Sequence, residues 1–223
     1  MTQNETTRSR LRAAIVVIAP AVLLVGFFYH PFLTTPTDPA VIAAAVASDA
    51  TRWALAHVVI GVGYGLAALA FIAIRSYLRE AGEERWSVIA LPLAVLGSTL
   101  FAILTGMEFG PLAAAGAGAD AAAAQAALIP WFVPVLLAGA VSFALGAFAF
   151  SAGVVRSAVL SPPLTWLVVG ALVVMAVARF APVSLAQYVI AVAGVMALWP
   201  LAYVMWKHPQ ARLAGQPRPV RAN

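Results

Sequence analysis

Six apolar stretches constrain this chain more than any other feature, because each is long enough to cross the hydrocarbon core of a bilayer. That core is roughly 30 Å thick and a helix rises about 1.5 Å per residue, so about 20 apolar residues suffice. The stretches cover residues 12–29, 53–74, 86–109, 128–150, 164–180 and 185–206. In hydrocarbon, backbone N–H and C=O groups must be satisfied within the segment, so each stretch reads as a helix. Aromatic residues stand at many of the predicted borders, including Tyr29, Trp53, Tyr77, Trp86, Trp131 and Trp206, as an interfacial belt requires.

Composition agrees with this reading. With 63% hydrophobic and 9% charged residues, a chain of 223 residues has too little polar surface to cover a soluble globule. The net charge of +5 does not point to nucleic acid, since the basic residues stand singly between apolar runs, without a basic stripe or interleaved aromatics. The absence of cysteine removes disulfides, thiolate metal sites and cysteine nucleophiles together.

The basic residues set the expected orientation. With a cytoplasmic N-terminus, Arg8, Arg10, Arg12, Arg75, Arg79, Arg85, Arg156, Lys207, Arg212, Arg218 and Arg221 fall inside, and only Arg52 and Arg179 fall on the outer half. The prediction is a multi-pass protein of the plasma (bacterial inner) membrane with both termini cytoplasmic. Its first helix is expected to stay uncleaved, because the nearest small-residue cleavage pattern, Ala45-Val46-Ala47, lies well beyond the first apolar run.

The fold class is therefore all-α and polytopic, with six transmembrane helices as three hairpins and two short outer-face helices. Residues 1–11 are expected as a cytoplasmic tail, 12–206 as the transmembrane domain, and 207–223 as a basic cytoplasmic tail. Thr37-Asp38-Pro39 is a helix start leading into 40–48, and Gly118-Ala119-Asp120 leads into 121–128 in the same manner. These two segments are the expected lids. The third hairpin turns through Ala181-Pro182-Val183-Ser184. A shift of 78 residues superposes Trp53 on Trp131, Gly61 on Gly139 and His30 on Glu108, a weak internal repeat. Pro20, Pro92, Pro134 and Pro200 fall within spans and are expected to kink them.

Ionisable residues inside spans are functional-site candidates. Glu108 is the lone acidic residue in the third stretch, but 22 residues beyond Trp86 is roughly 33 Å, which places it at the outer border. Its face continues through Thr105, Phe101 and Gly97. His57 lies four residues inside Trp53, about 6 Å below that border, on a face shared with Gly61, Tyr64, Gly65 and Ala68. Gly61-x-x-x-Gly65 is the small-residue pattern that admits a neighbouring helix, which turns His57 into the bundle. Arg179 and His30 also belong near the outer leaflet, on the fifth and first helices. An ion pair of Glu108 with Arg179, His57 or His30 is the pairing these depths suggest.

His30, His57, Tyr64, Glu108 and Arg179 are thus the candidate ligand-binding residues, with Glu108 and His57 as candidate acid and base; no metal site is expected. No catalytic or phosphate-binding motif accompanies them: there is no G-x-S-x-G, no H-E-x-x-H, no P-loop and no intramembrane lysine. Three function classes follow. One binds or transports a small apolar or amphipathic ligand beneath the lids. Another is an intramembrane enzyme using Glu108 and His57 on a lipid-soluble terpenoid or quinone-like substrate. The third is a haem b protein ligated by His30 and His57, or a structural subunit of a membrane complex. The partners these classes imply are the lipid bilayer, a small hydrophobic ligand, and an oligomeric or complex partner.

Overall fold

The computed structural model describes residues 3–181 and 183–208, and the described residues are all-helical. Eight helices follow in order: α1 (Gln3–Tyr29), α2 (Pro39–Ser48), α3 (Ala50–Glu80), α4 (Arg85–Met107), α5 (Phe109–Gly116), α6 (Ala121–Ser157), α7 (Pro162–Ala178) and α8 (Ser184–Lys207). Five segments are long and apolar enough to cross a membrane: Thr7–Tyr29, Ala50–Glu80, Arg85–Gly116, Ala121–Ser157 and Ser184–Lys207. The 17 residues of α7 span only about 25 Å.

Carboxylates start four of the helices. Asp38 accepts from the Ala40 amide at 2.9 Å ahead of Pro39, and Asp49 accepts from the Arg52 amide at 2.8 Å. Asp120 accepts from the amides of Ala122 and Ala123 at 2.9 and 3.0 Å. Glu83, buried at the opposite end of the bundle, accepts from the amides of Trp86 and Ser87 at 2.7 and 3.0 Å. Each cap satisfies amides that have no intrahelical partner and sets a negative charge at the positive end of a helix dipole.

The six long helices pack in chain order into a closed ring. α1 lies between α3 and α8, α4 between α3 and α6, and α7 between α6 and α8, while α2 and α5 sit together over one end against α3 and α6. Two bonds mark the other end: Arg12 of α1 pairs with Glu80 of α3 at 2.6 Å, and Ser9 donates to the Met205 carbonyl of α8 at 3.1 Å. There the ring interior is filled, with Phe71 stacked on Phe150 at 5.1 Å and edge-on to Phe143 at 5.8 Å. The outward faces carry exposed Val62, Leu137, Leu145 and Trp166, the surface hydrocarbon calls for.

Glycines let the helices approach. A Cβ on Gly63 would stand 2.7 Å from Leu23 of α1, one on Gly97 2.7 Å from the Phe143 backbone nitrogen, and one on Gly146 2.7 Å from the Ala94 nitrogen. In an apolar solvent such close packing, rather than water release, holds helices together.

Several expectations are corrected. Residues 121–128 form the first turns of α6 rather than a separate lid, because the Asp120 cap starts a helix that nothing in the alanine run interrupts. The short helix before it is α5, set off where Glu108 ends α4. Trp53 and Tyr77 are buried and not interfacial, since α2 covers the first and the bundle the second. Gly65 is exposed with nothing within 4 Å of a Cβ there, so of the Gly61-x-x-x-Gly65 pair only Gly61 approaches a neighbour, a Cβ there standing 3.2 Å from Thr105 of α4, and the tighter crossing is made by Gly63. Trp53 and Trp131, superposed by the 78-residue shift, are buried and exposed respectively. α1 begins at Gln3, ahead of the first apolar run. Pro182 of the last turn and residues 209–223 of the expected C-terminal tail lie outside the described residues.

Gly146→Val is expected to destabilise the bundle by about 1–3 kcal/mol, as overpacking does, whereas Gly170→Ala, in open space, changes little. Melting of the two variants in detergent, followed by intrinsic fluorescence, checks this; equal midpoints would contradict the α4–α6 crossing.

Candidate functional site

α1, α4 and α7 end at the same end of the ring at which α3, α6 and α8 begin, and the interior there is not filled. It holds a cavity of about 280 Å³ lined by residues of all six long helices. His30, His57, Tyr64, Glu108 and Arg179 all line it, although they come from four separate segments. Phe27, Ile60, Phe101, Leu104, Leu136 and Ile190 supply apolar wall, and Leu33, Thr37 and Ile42 roof it from the α1–α2 segment. The roof has its own small core, in which Leu33, Ile42 and Val46 pack with Trp53. Two bonds fasten this end: Ser184 donates to the Leu33 carbonyl at 2.7 Å, and Arg52 donates to the Tyr29 carbonyl at 2.7 Å.

The two histidines are in direct contact. Their rings meet edge to face with centroids 4.9 Å apart, and each lies against Trp53. His57 Nδ1 bonds the Trp53 carbonyl at 2.8 Å and His30 Nδ1 bonds the Pro31 carbonyl at 2.7 Å. A carbonyl oxygen only accepts, so Nδ1 is the protonated nitrogen in each neutral ring and Nε2 carries a lone pair. Burial pushes the His30 imidazole below its ordinary value of 6.5, and the nearby Arg52 charge pushes the same way against the Pro31 carbonyl. Rings in edge contact leave no slot for a porphyrin between them, so this pair does not fit haem. Among the described residues no group of three or more His, Asp or Glu side chains is placed to hold a metal ion.

Glu108 occupies the junction between α4 and α5. Its backbone carbonyl accepts from Trp53 Nε1 at 3.0 Å, which ties the junction to α3. Oε2 of its carboxylate has no hydrogen-bond partner, and neither has Oε1 of Gln125, buried in the second turn of α6.

Arg179, the residue after α7, is 8% exposed. Its guanidinium carbon lies 4.2 Å from the Phe101 ring centre and 3.9 Å from that of Phe143, and Nη1 donates to the Tyr64 hydroxyl at 3.2 Å. Nε has no hydrogen-bond partner.

The expected ion pair of Glu108 with Arg179, His57 or His30 is absent: among the described residues the one ion pair within 4.0 Å is Arg12–Glu80. The reason is directional, because the Arg179 guanidinium turns onto the aromatic faces of Phe101 and Phe143. Nor does Glu108 hydrogen-bond His57, so the acid–base couple is not assembled in this arrangement. Gln125, Trp53 and Phe143 belong to the site and escaped the sequence reading. Gln125 had a signal, being the single polar side chain in the run 121–128, while Phe143 had none.

A histidine whose folded value is lowered favours folding when neutral, so His30 stabilises above its unfolded value and that contribution is lost as pH falls below about 6.5 through the folded value. Acidification over this window should therefore destabilise the native protein more than His30→Gln, measured as melting midpoints against pH; parallel curves would contradict it. No protein-family model matches the chain, and comparison with curated proteins and with solved structures finds no match.

Proposed function

We propose that this multi-pass membrane protein binds a small apolar or amphipathic ligand in the cavity at the end of its helix ring, taking it from the outer leaflet. One observation carries the reading: five polar side chains from four segments meet aromatic and aliphatic walls in one cavity. Apolar lining with a few convergent polar groups is the usual character of a small-molecule site, and about 280 Å³ is at the small end of the usual range. The filled core beneath supports a pocket that loads from one end.

The proposed topology has six spans in three hairpins, with α7 as a short sixth span and both termini cytoplasmic. Arg12, Arg79, Arg85, Arg156 and Lys207 at the end opposite the cavity support this by the positive-inside rule. The intramembrane-enzyme reading finds no bonded acid–base pair in its favour.

Because the chain has no cysteine, single substitutions report sidedness directly. Ser48→Cys, on exposed α2, should react with an impermeant maleimide in whole cells, and Glu84→Cys only after lysis; the reverse pattern overturns the orientation. For the ligand, native mass spectrometry of the purified protein should show a bound small molecule that is lost in Leu136→Trp, which fills the cavity, while melting stays near wild type. Equal adducts on both proteins, or none on the wild type with added amphiphiles, would sink the binding reading.

A further inference from the structure

Arg179 is a buried cation without an anion. It is 8% exposed, lines the cavity, and among the described residues has no carboxylate within 4.0 Å. Of five guanidinium N–H donors, the structure engages one, by Nη1 to the Tyr64 hydroxyl. Aromatic faces at 4.2 and 3.9 Å attract the charge but take no hydrogen bond in the plane of the guanidinium. A buried charge ordinarily has a partner, and arginine does not escape the requirement by losing its proton.

The three aspartates at this end are committed. Asp38, Asp49 and Asp120 accept backbone amides as caps of α2, α3 and α6. Glu108 lines the same cavity, but among the described residues it forms no ion pair with Arg179 within 4.0 Å. Among the described residues the guanidinium therefore has no counter-ion. The edge formed by Nε and Nη2 is left over, since Nη1 is the nitrogen held by Tyr64 and Nε has no partner. That edge presents two parallel N–H bonds, the spacing that a carboxylate accepts bidentately. Phe101 and Phe143, on which the guanidinium is stacked, hold it in place, so little freedom is lost when an anion docks.

We propose that the ligand is an amphiphile with a single anionic head, a carboxylate, which pairs with Arg179 while its apolar tail lies along Ile60, Leu104 and Leu136. The proposal rests on the ligand-binding reading above and names the chemistry of that site. His30 and His57 lie on the same cavity and offer Nε2 lone pairs, which accept but do not donate, so they do not compete with Arg179 for the anion.

The test compares decanoate with decanol, which share a chain and differ in the charge of the head. Labelled ligand is titrated onto the full chain in phosphatidylcholine nanodiscs, with empty nanodiscs subtracting partition into lipid. The expected result is decanoate binding at least about tenfold tighter than decanol, with the preference abolished in Arg179→Gln. The wild-type comparison decides by itself if that variant does not fold. Decanol binding as tightly as decanoate overturns the anionic head and leaves the binding reading standing. Binding of neither above empty nanodiscs overturns both. A repeat with phosphatidylglycerol in the nanodiscs tests the carboxylate itself: displacement of decanoate replaces it by a lipid phosphate and overturns that part of the proposal, and undiminished binding supports a free carboxylic acid.

Discussion

A backbone amide in hydrocarbon has no water to turn to, and the whole structure follows from that. Within the apolar runs the only local answer is the helix, which bonds each N–H to the carbonyl four residues back. The answer fails at helix ends, where up to four N–H groups remain open, and there the chain places Asp38, Asp49, Glu83 and Asp120. Half of the eight acidic residues are thereby used on caps. This allocation makes the remaining charges informative: Glu80 pairs with Arg12, whereas Glu108 and Arg179 have no such structural partner.

Packing then converts helices into a container. Close crossings at Gly63, Gly97 and Gly146 draw α1 to α3 and α4 to α6, and contacts of α7 and α8 with α6 and α1 close the ring. Beneath the cavity, Phe71, Phe143 and Phe150 fill the interior. At the other end the chain turns through α2 and α5, which cover the opening from above and leave the middle unfilled. The cavity is thus bounded by large aromatic side chains below and by the lid segments above.

Arginine beside aromatic rings is a compromise between two physical demands. The guanidinium disc covers apolar faces well and draws on their negative quadrupoles, which lowers the penalty of burial without meeting its in-plane donors. Tyr64 meets one of these and is itself stacked on Phe101 at 5.3 Å. A site so arranged holds a permanent positive charge ready in an apolar cavity, a setting in which an incoming anion meets little competition from water.

Much was legible in the residues themselves. The six apolar runs, the Asp38-Pro39 and Asp120 helix starts, and the shared depth of His30, His57, Glu108 and Arg179 depend on hydropathy, rise per residue and capping chemistry, all of which are local. They placed the candidate residues near one end of the bundle, and all four line the cavity there. Direction within that end was not local. Whether Arg179 would meet Glu108 or an aromatic face depended on which helices became neighbours, and Phe143, 36 residues away in sequence, carries no mark that it will lie under a guanidinium. The same holds for Gly63 over Gly65 and for Gln125 beside Glu108: each follows from the rotation of one helix against another. Sequence by itself determined the long apolar helices, the capped helix starts and the chemical groups available along them, because those follow from the chain and its solvent. Tertiary structure alone decided which of these groups face one another, because helix rotation and neighbour choice are set by packing between distant segments.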